Sequence, residues 1–130
     1  MESSYLGLLG LAKRASFVEA GDEACRAAIN AGKARLILTA SDASERTYET
    51  FAFLAENANV PHIQVNESRE ELGNALGRRP CATVAVCDIG LTAAIVKKLA
   101  AINEDAARKL PEIEARAKKI AARKNKGKKK

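Results

Sequence analysis

The chain has 130 residues, 47% of them hydrophobic but only 4% aromatic, and a formal net charge of +6. That is one domain's worth of chain, long enough to bury about two-thirds of its unfolded surface around a single core. The charge is uneven: residues 1–102 carry 11 Lys/Arg against 12 Asp/Glu, whereas residues 103–130 carry 11 against 4, so the basicity belongs to a tail. The apolar start YLGLLGLA has no basic segment before it and is followed at once by Lys13-Arg14. It is too short for a membrane span and in the wrong order for a signal peptide, which leaves a cytoplasmic protein with no membrane partner as the expectation.

Three cysteines, Cys25, Cys81 and Cys87, include no C-x-x-C pair. Cys81 and Cys87 fall on one predicted strand about 20 Å apart, too far to bridge, so all three read as reduced structural thiols. With one histidine in the chain, a metal site has no supporting spacing, and neither metal nor cofactor is expected.

In chain order, residues 4–14 place Leu6, Leu9 and Ala12/Lys13 at helical spacing, with Gly7 and Gly10 open to close packing. A short strand, Phe17–Ala20, follows. Gly21-Asp22 opens a helix with Ala24/Cys25, Ala28 and Ile29 inward, and Gly32 ends it. Arg35–Ala40 is an aliphatic run without polar alternation, as expected of a strand covered on both faces. Asp42 with Glu45 signals a helix start, continued by the stripe Tyr48, Phe51, Leu54/Ala55, Ala58, and Pro61 rules out further helix.

His62–Val65 is the next strand. Ser68 and Glu71 form a capping box, which explains Glu71 without catalysis, and the short helix behind it reaches Leu76 with Gly77 at its end. Ala82–Cys87 is an apolar strand, and Leu91, Ile95, Leu99 and Ile102 line one more helix. Alternating helices and strands joined by short connections indicate an α/β sandwich, and pattern alone favours a parallel sheet. The boundary is drawn at Asn103, where composition shifts from core-forming to charged.

Catalysis has little to work with. His62 follows Pro61 at a strand start, no Ser or Cys sits in an elbow motif, and Asp22/Glu23 and Glu70/Glu71 stand at helix starts where the macrodipole favours acids. No enzyme is expected. Arg78 and Arg79 are different: they follow a helix end and precede Pro80, which stiffens the turn that displays them. Such a pair reads either as a solvated loop or as an anion-binding one. The tail beyond Glu114 holds 9 Lys/Arg and no acid. Pro111 can start a helix through Ala122, but Ile113 and Ile120 are its only large apolar residues, so it is expected to build no core. It reads as a solvated, partly helical or disordered extension, or as one attached electrostatically to nucleic acid.

Gly21-Asp22-Glu23, the run Gly32–Leu38, Ala40-Ser41-Asp42-Ala43, Val60-Pro61, Leu72-Gly73-x-Ala75-x-Gly77 and Arg79-Pro80, in that order, resemble the ribosomal L7Ae/L30e family. LAKRA at 11–15 resembles its bacterial YlxQ-like branch more closely. The resemblance covers about residues 5–102. It implies a three-layer α-β-α sandwich with a small mixed sheet of about four strands, and residues 1–102 as the domain with 103–130 as an extension. It also implies a monomeric, non-catalytic protein that binds structured RNA at a kink-turn or similar bend, with ribosomal RNA and the ribosome as partners.

By the same resemblance, the RNA-binding residues are Gly21, Asp22, Glu23, Arg26, Asp42, Arg69, Arg78, Arg79, Pro80 and Cys81. The loop at Gly77–Cys81 would lie against the RNA bulge, and the loop-to-helix segment at Gly21 would enter the groove beside it. Glu23 and Ala24 stand where the family's pattern has Asn and Glu, Ala27 replaces its Lys, and Arg26 lies one position away. Those departures leave a second reading open, a protein-interaction adaptor that kept the fold without its RNA face.

Overall fold

In a computed structural model the backbone is described for residues 4–128 and side chains for residues 5–123. The terminal lysines, on which part of the electrostatic expectation for the tail rests, lie outside the described side chains. The elements run α1 (Ser4–Arg14), β1 (Val18–Ala20), α2 (Asp22–Asn30), β2 (Leu36–Thr39), α3 (Glu45–Asn57), β3 (His62–Gln64), α4 (Arg69–Ala75), β4 (Thr83–Val86), α5 (Ile89–Leu99) and α6 (Glu104–Lys128).

The four strands form one sheet in the order β1-β4-β2-β3. β2 and β3 are parallel, whereas β4 runs antiparallel to both its neighbours. The sheet is therefore mixed with four strands, as the family resemblance implies, and not parallel as the alternating pattern alone favours. Element order carries no strand direction, and only the β2–β3 pair joined through α3 obeys the parallel rule.

Both central strands are buried along their whole length, and their alternation sorts the core into two halves. Leu36, Leu38, Val84 and Val86 point to one side, where Tyr5 and Leu9 of α1, Leu72 of α4, and Ile95 and Leu99 of α5 cover them. Ile37 and Ala85 point to the other, under Cys25, Ala28 and Ile29 of α2 and Phe51 and Ala55 of α3. The result is three layers, helix on sheet on helix.

Gly10 earns its place, since a Cβ there would lie 3.3 Å from the Ala75 carbonyl of α4. Gly7 faces open space and supports no such contact. Helix α3 is capped by the Ser44 hydroxyl, which accepts from Thr47 N at 3.1 Å, and not by Asp42. The Ser68–Glu71 capping box is present as read, with bonds of 2.8 and 3.1 Å.

The largest departure from the sequence reading is α6. It begins at Glu104 rather than Pro111, with Asn103 Oδ1 accepting from Ala106 N at 3.0 Å, and Pro111 is carried inside it. Ala106 and Ile113 are buried in the main core with Leu110 packed beside them, so the extension does build core, contrary to expectation. Ile102, expected on the lining stripe of α5, is instead exposed.

Helix α6 also shields a sheet edge. β3 pairs only with β2, so its outer carbonyls need other partners. Asn103 Nδ2 donates to Gln64 O at 2.9 Å and Lys109 Nζ to His62 O at 2.5 Å. Two turns of helix further on, Arg116 donates to Asn59 O at 3.0 Å, just before the strand.

Candidate nucleic-acid interface

The ends of β1, β2 and β3 and the start of β4 lie at one edge of the sheet, because Ala20 pairs with Val84, Thr83 with Thr39, and Thr39 with Gln64. Four connections meet there: the turn at Gly21, the loop from Ser41 to Ser44, the turn at Glu67 and the arginine loop, Gly77–Ala82. Backbone bonds tie them together. Gly21 N donates to Thr83 O at 2.9 Å, Ala40 N to Ala82 O at 2.9 Å, Ser41 N to Glu67 O at 2.8 Å and Cys81 N to Arg69 O at 3.2 Å.

Gly21 has φ of 96°, a conformation that side chains disfavour, and opens α2 with no side-chain cap. The first amides of α2 are therefore unpaired by a cap, with the positive end of the helix dipole behind them. Asp22 turns back to accept from Thr83 Oγ1 at 3.1 Å, while Glu23 is exposed beside it.

The two arginines have different fates. Arg78 Nη1 donates to Ala20 O at 3.0 Å, and its Nε donates to Arg79 O at 3.2 Å. Its guanidinium fills the space over Gly21, 3.8 Å from where a Cβ would stand. Arg78 thus joins the arginine loop to the Gly21 turn. Arg79 is exposed, and among the described residues its guanidinium has no partner; Pro80 beside it is exposed as well.

The residue that makes this turn possible is Gly73, which the sequence reading used only as part of a motif. A Cβ on Gly73 would stand 2.5 Å from Arg79 O and 2.9 Å from Arg78 O, and Gly73 O accepts from Arg78 N at 2.9 Å. The signal was the L-G-x-A-x-G spacing: a glycine inside a helix, where it costs helix stability, marks a close approach by something else.

Other expected site residues are placed differently. Asp42 Oδ1 accepts from Arg69 N at 2.8 Å, and its Oδ2 lies 3.6 Å from Arg69 Nε, so the pair clamps the β2–α3 loop to the start of α4. Arg26 lies with its guanidinium carbon 5.6 Å from the Phe51 ring centre, packed on α3 rather than joined to the arginine loop. Cys81 is buried in the core and does not present its sulfur at the edge.

Burial raises the pKa of all three thiols, that of Cys25 to about 12, which keeps them protonated and weakly nucleophilic. His62 is pushed down to about 4 by burial and then by Lys109, with Asp105 opposing, and its Nε2 lies 3.1 Å from Thr39 Oγ1. It is a neutral packing residue against Tyr48, whose ring centre lies 5.1 Å away. Among the described residues no three His, Cys, Asp or Glu side chains converge as metal ligands, and no helix is long and apolar enough to cross a membrane.

The sequence model of the Ribosomal protein L7Ae/L30e/S12e/Gadd45 family matches residues 4–96. The chain belongs to that family. It is 35% identical over 95 residues to a Bacillus subtilis protein named RNA-binding protein YlxQ, a match covering 73% of this chain and 94% of the relative. A Bacillus halodurans protein of unknown function has a similar structure, with a TM-score of 0.71 and 28% identity over 75% of this chain and 98% of the other. The Giardia lamblia 15.5kD RNA binding protein shares the fold at a TM-score of 0.63 and 24% identity, covering 74% of this chain and 84% of its own. Helix α6 lies beyond the residues the family model matches.

Proposed function

We propose that the protein is a non-catalytic RNA-binding protein that grips a bent, structured RNA of the kink-turn kind at the loop edge of its sheet. The observation that carries this reading is the joining of the uncapped α2 start to the arginine loop through Arg78, with Arg79 exposed at the same edge and unpaired among the described residues. Backbone amides at a helix start accept phosphate, and an unpaired arginine on a stiff turn reaches phosphate or a base edge. Two such groups held at a fixed separation engage a bend better than a regular duplex, whose narrow major groove keeps side chains out.

Family membership and the name of the YlxQ relative support RNA as the ligand. Glu23 adds an acceptor for a guanine edge, and Arg69 adds a cation whose charge Asp42 only partly offsets. The family's ribosomal members point to ribosomal RNA, the cytoplasm and translation as the setting, with a single copy sufficient. Residues 4–102 carry the recognition, and α6 braces them.

Electrophoretic competition with the full chain tests this. A labelled kink-turn RNA should be displaced by unlabelled kink-turn RNA at a far lower concentration than by a duplex of equal length. Equal competition by both overturns kink-turn recognition, and no binding of either favours the adaptor reading that the Glu23, Ala24 and Ala27 departures suggest.

A further inference from the structure

At the opposite end of the strands α6 runs on past β3 and leaves a cleft of about 270 Å³ between itself and the turns that lead into β2 and β3. Its floor is apolar, with Ile29, Val60 and Ile120, and its rim carries Arg35, Lys119 and Arg123. The α6 contributors recur at 116, 119, 120 and 123, one face of the helix. Arg116, also on the rim, is held in place by Asn59 and by Glu112 at 2.8 Å. The other three cations have no carboxylate partner among the described residues, and no acidic side chain lines the cleft.

Unpaired like charges gathered around one opening repel each other, and the arrangement is relieved by an anion. A bare phosphate has no use for the apolar floor. A nucleotide within a strand uses both parts, its base against the floor or a guanidinium plane and its flanking phosphates on the rim. The sequence after Arg123 is basic again at 124, 126 and 128, a density of charge that suits a polymer charged at every unit better than a single small anion. We infer that this cleft is a second nucleic-acid site, which takes an unpaired RNA strand while the loop edge holds a bend.

The inference rests on the RNA-binding reading but concerns different residues, so the two fail separately. The test is fluorescence anisotropy of the full chain with a short labelled oligoadenylate, which has no bend to offer. Lys119→Glu/Arg123→Glu should weaken oligoadenylate binding by roughly tenfold or more through lost phosphate contacts. Lys97→Glu/Lys98→Glu, an equal charge change on exposed positions of α5, should cost less than about threefold. One equivalent of unlabelled kink-turn RNA, enough to fill the loop edge, should leave most of the oligoadenylate bound, and polyglutamate should not displace it.

Equal losses in the two variants would overturn the cleft, as would complete displacement by the kink-turn RNA or by polyglutamate. If the kink-turn RNA shows no advantage over a duplex while the cleft variant still loses oligoadenylate, the loop-edge reading falls and this one stands.

Discussion

At one edge of the sheet, four connections are bonded to each other mainly through backbone, and the charged side chains there are of both signs and mostly engaged: Arg78 with Ala20, Asp42 with Arg69, Asp22 with Thr83. At the other, one long helix borders the turns into β2 and β3, and three cations face an apolar cleft without acidic partners among the described residues. The first edge fixes shape and the second concentrates charge. Shape discriminates among RNAs with modest dependence on salt, whereas charge attracts all of them and fades as salt rises.

The comparison breaks most easily at the helix that creates the charged edge. Ile113 is 1% exposed, so Ile113→Ala should cost about 2–4 kcal/mol of unfolding free energy, measured by denaturant titration. A loss below about 0.5 kcal/mol, the usual size for a surface substitution, would mean that α6 is not part of the core.

Acid should loosen the same side of the molecule. His62, beneath Lys109 of α6, is neutral in the folded chain down to about pH 4, whereas in the unfolded chain it takes up a proton below about 6.5. Its contribution is fully present above that range and is lost as pH falls from about 6.5 to 4, by up to about 3 kcal/mol. Thermal melts of His62→Gln across that interval should show a shallower decline than the unsubstituted chain. Parallel curves would assign the acid sensitivity to other groups.

At the loop edge the sharpest single change is Gly73→Ala. The added methyl meets the Arg79 carbonyl at 2.5 Å, and the overpacking, partly offset by alanine's better helix propensity, should cost about 1–2 kcal/mol. Displacing the arginine loop should lower kink-turn affinity by more than the stability loss accounts for, at a temperature where the variant is fully folded. Unchanged affinity would mean the loop's position is immaterial.

The neighbouring arginines should then separate. Arg78→Ala removes a bond to Ala20 O and should cost about 1 kcal/mol of stability, whereas Arg79→Ala should move stability by less than about 0.5 kcal/mol. Kink-turn binding, by competition, should fall by about 1–3 kcal/mol for Arg79→Ala. Equal stability losses in the two would erase the distinction between them.

Much of the fold was legible because local signals agreed with each other: the Ser68–Glu71 box, the aliphatic runs of β2 and β4, and glycines at Gly21, Gly32 and Gly77, all three at positive φ. Strand direction was legible only through the family resemblance, since hydrophobic pattern specifies burial and says nothing of the sense of a strand. At the site, adjacency misled. Arg78 and Arg79 are chemically identical neighbours, and only the Ala20 carbonyl separates a brace from a free hand.

Asp42 looked like a helix cap because acids often are, yet its partner is Arg69, 27 residues on, a contact no local pattern carries. The start of α6 was present in the sequence as Asn103 followed by Ala106, Leu110 and Ile113 at helical spacing. The surrounding charge hid it, because composition averages over faces and a helix with one apolar face needs only a few such residues.

The most direct test of the division between the two edges is amide chemical-shift mapping of the full chain with a kink-turn RNA in moderate salt. The largest changes should fall at Gly21–Glu23, Arg69 and Gly77–Arg79, with small ones at Gly32–Arg35 and Ala58–Val60. Changes confined to those last two turns and to α6, with the arginine loop unmoved, would contradict it.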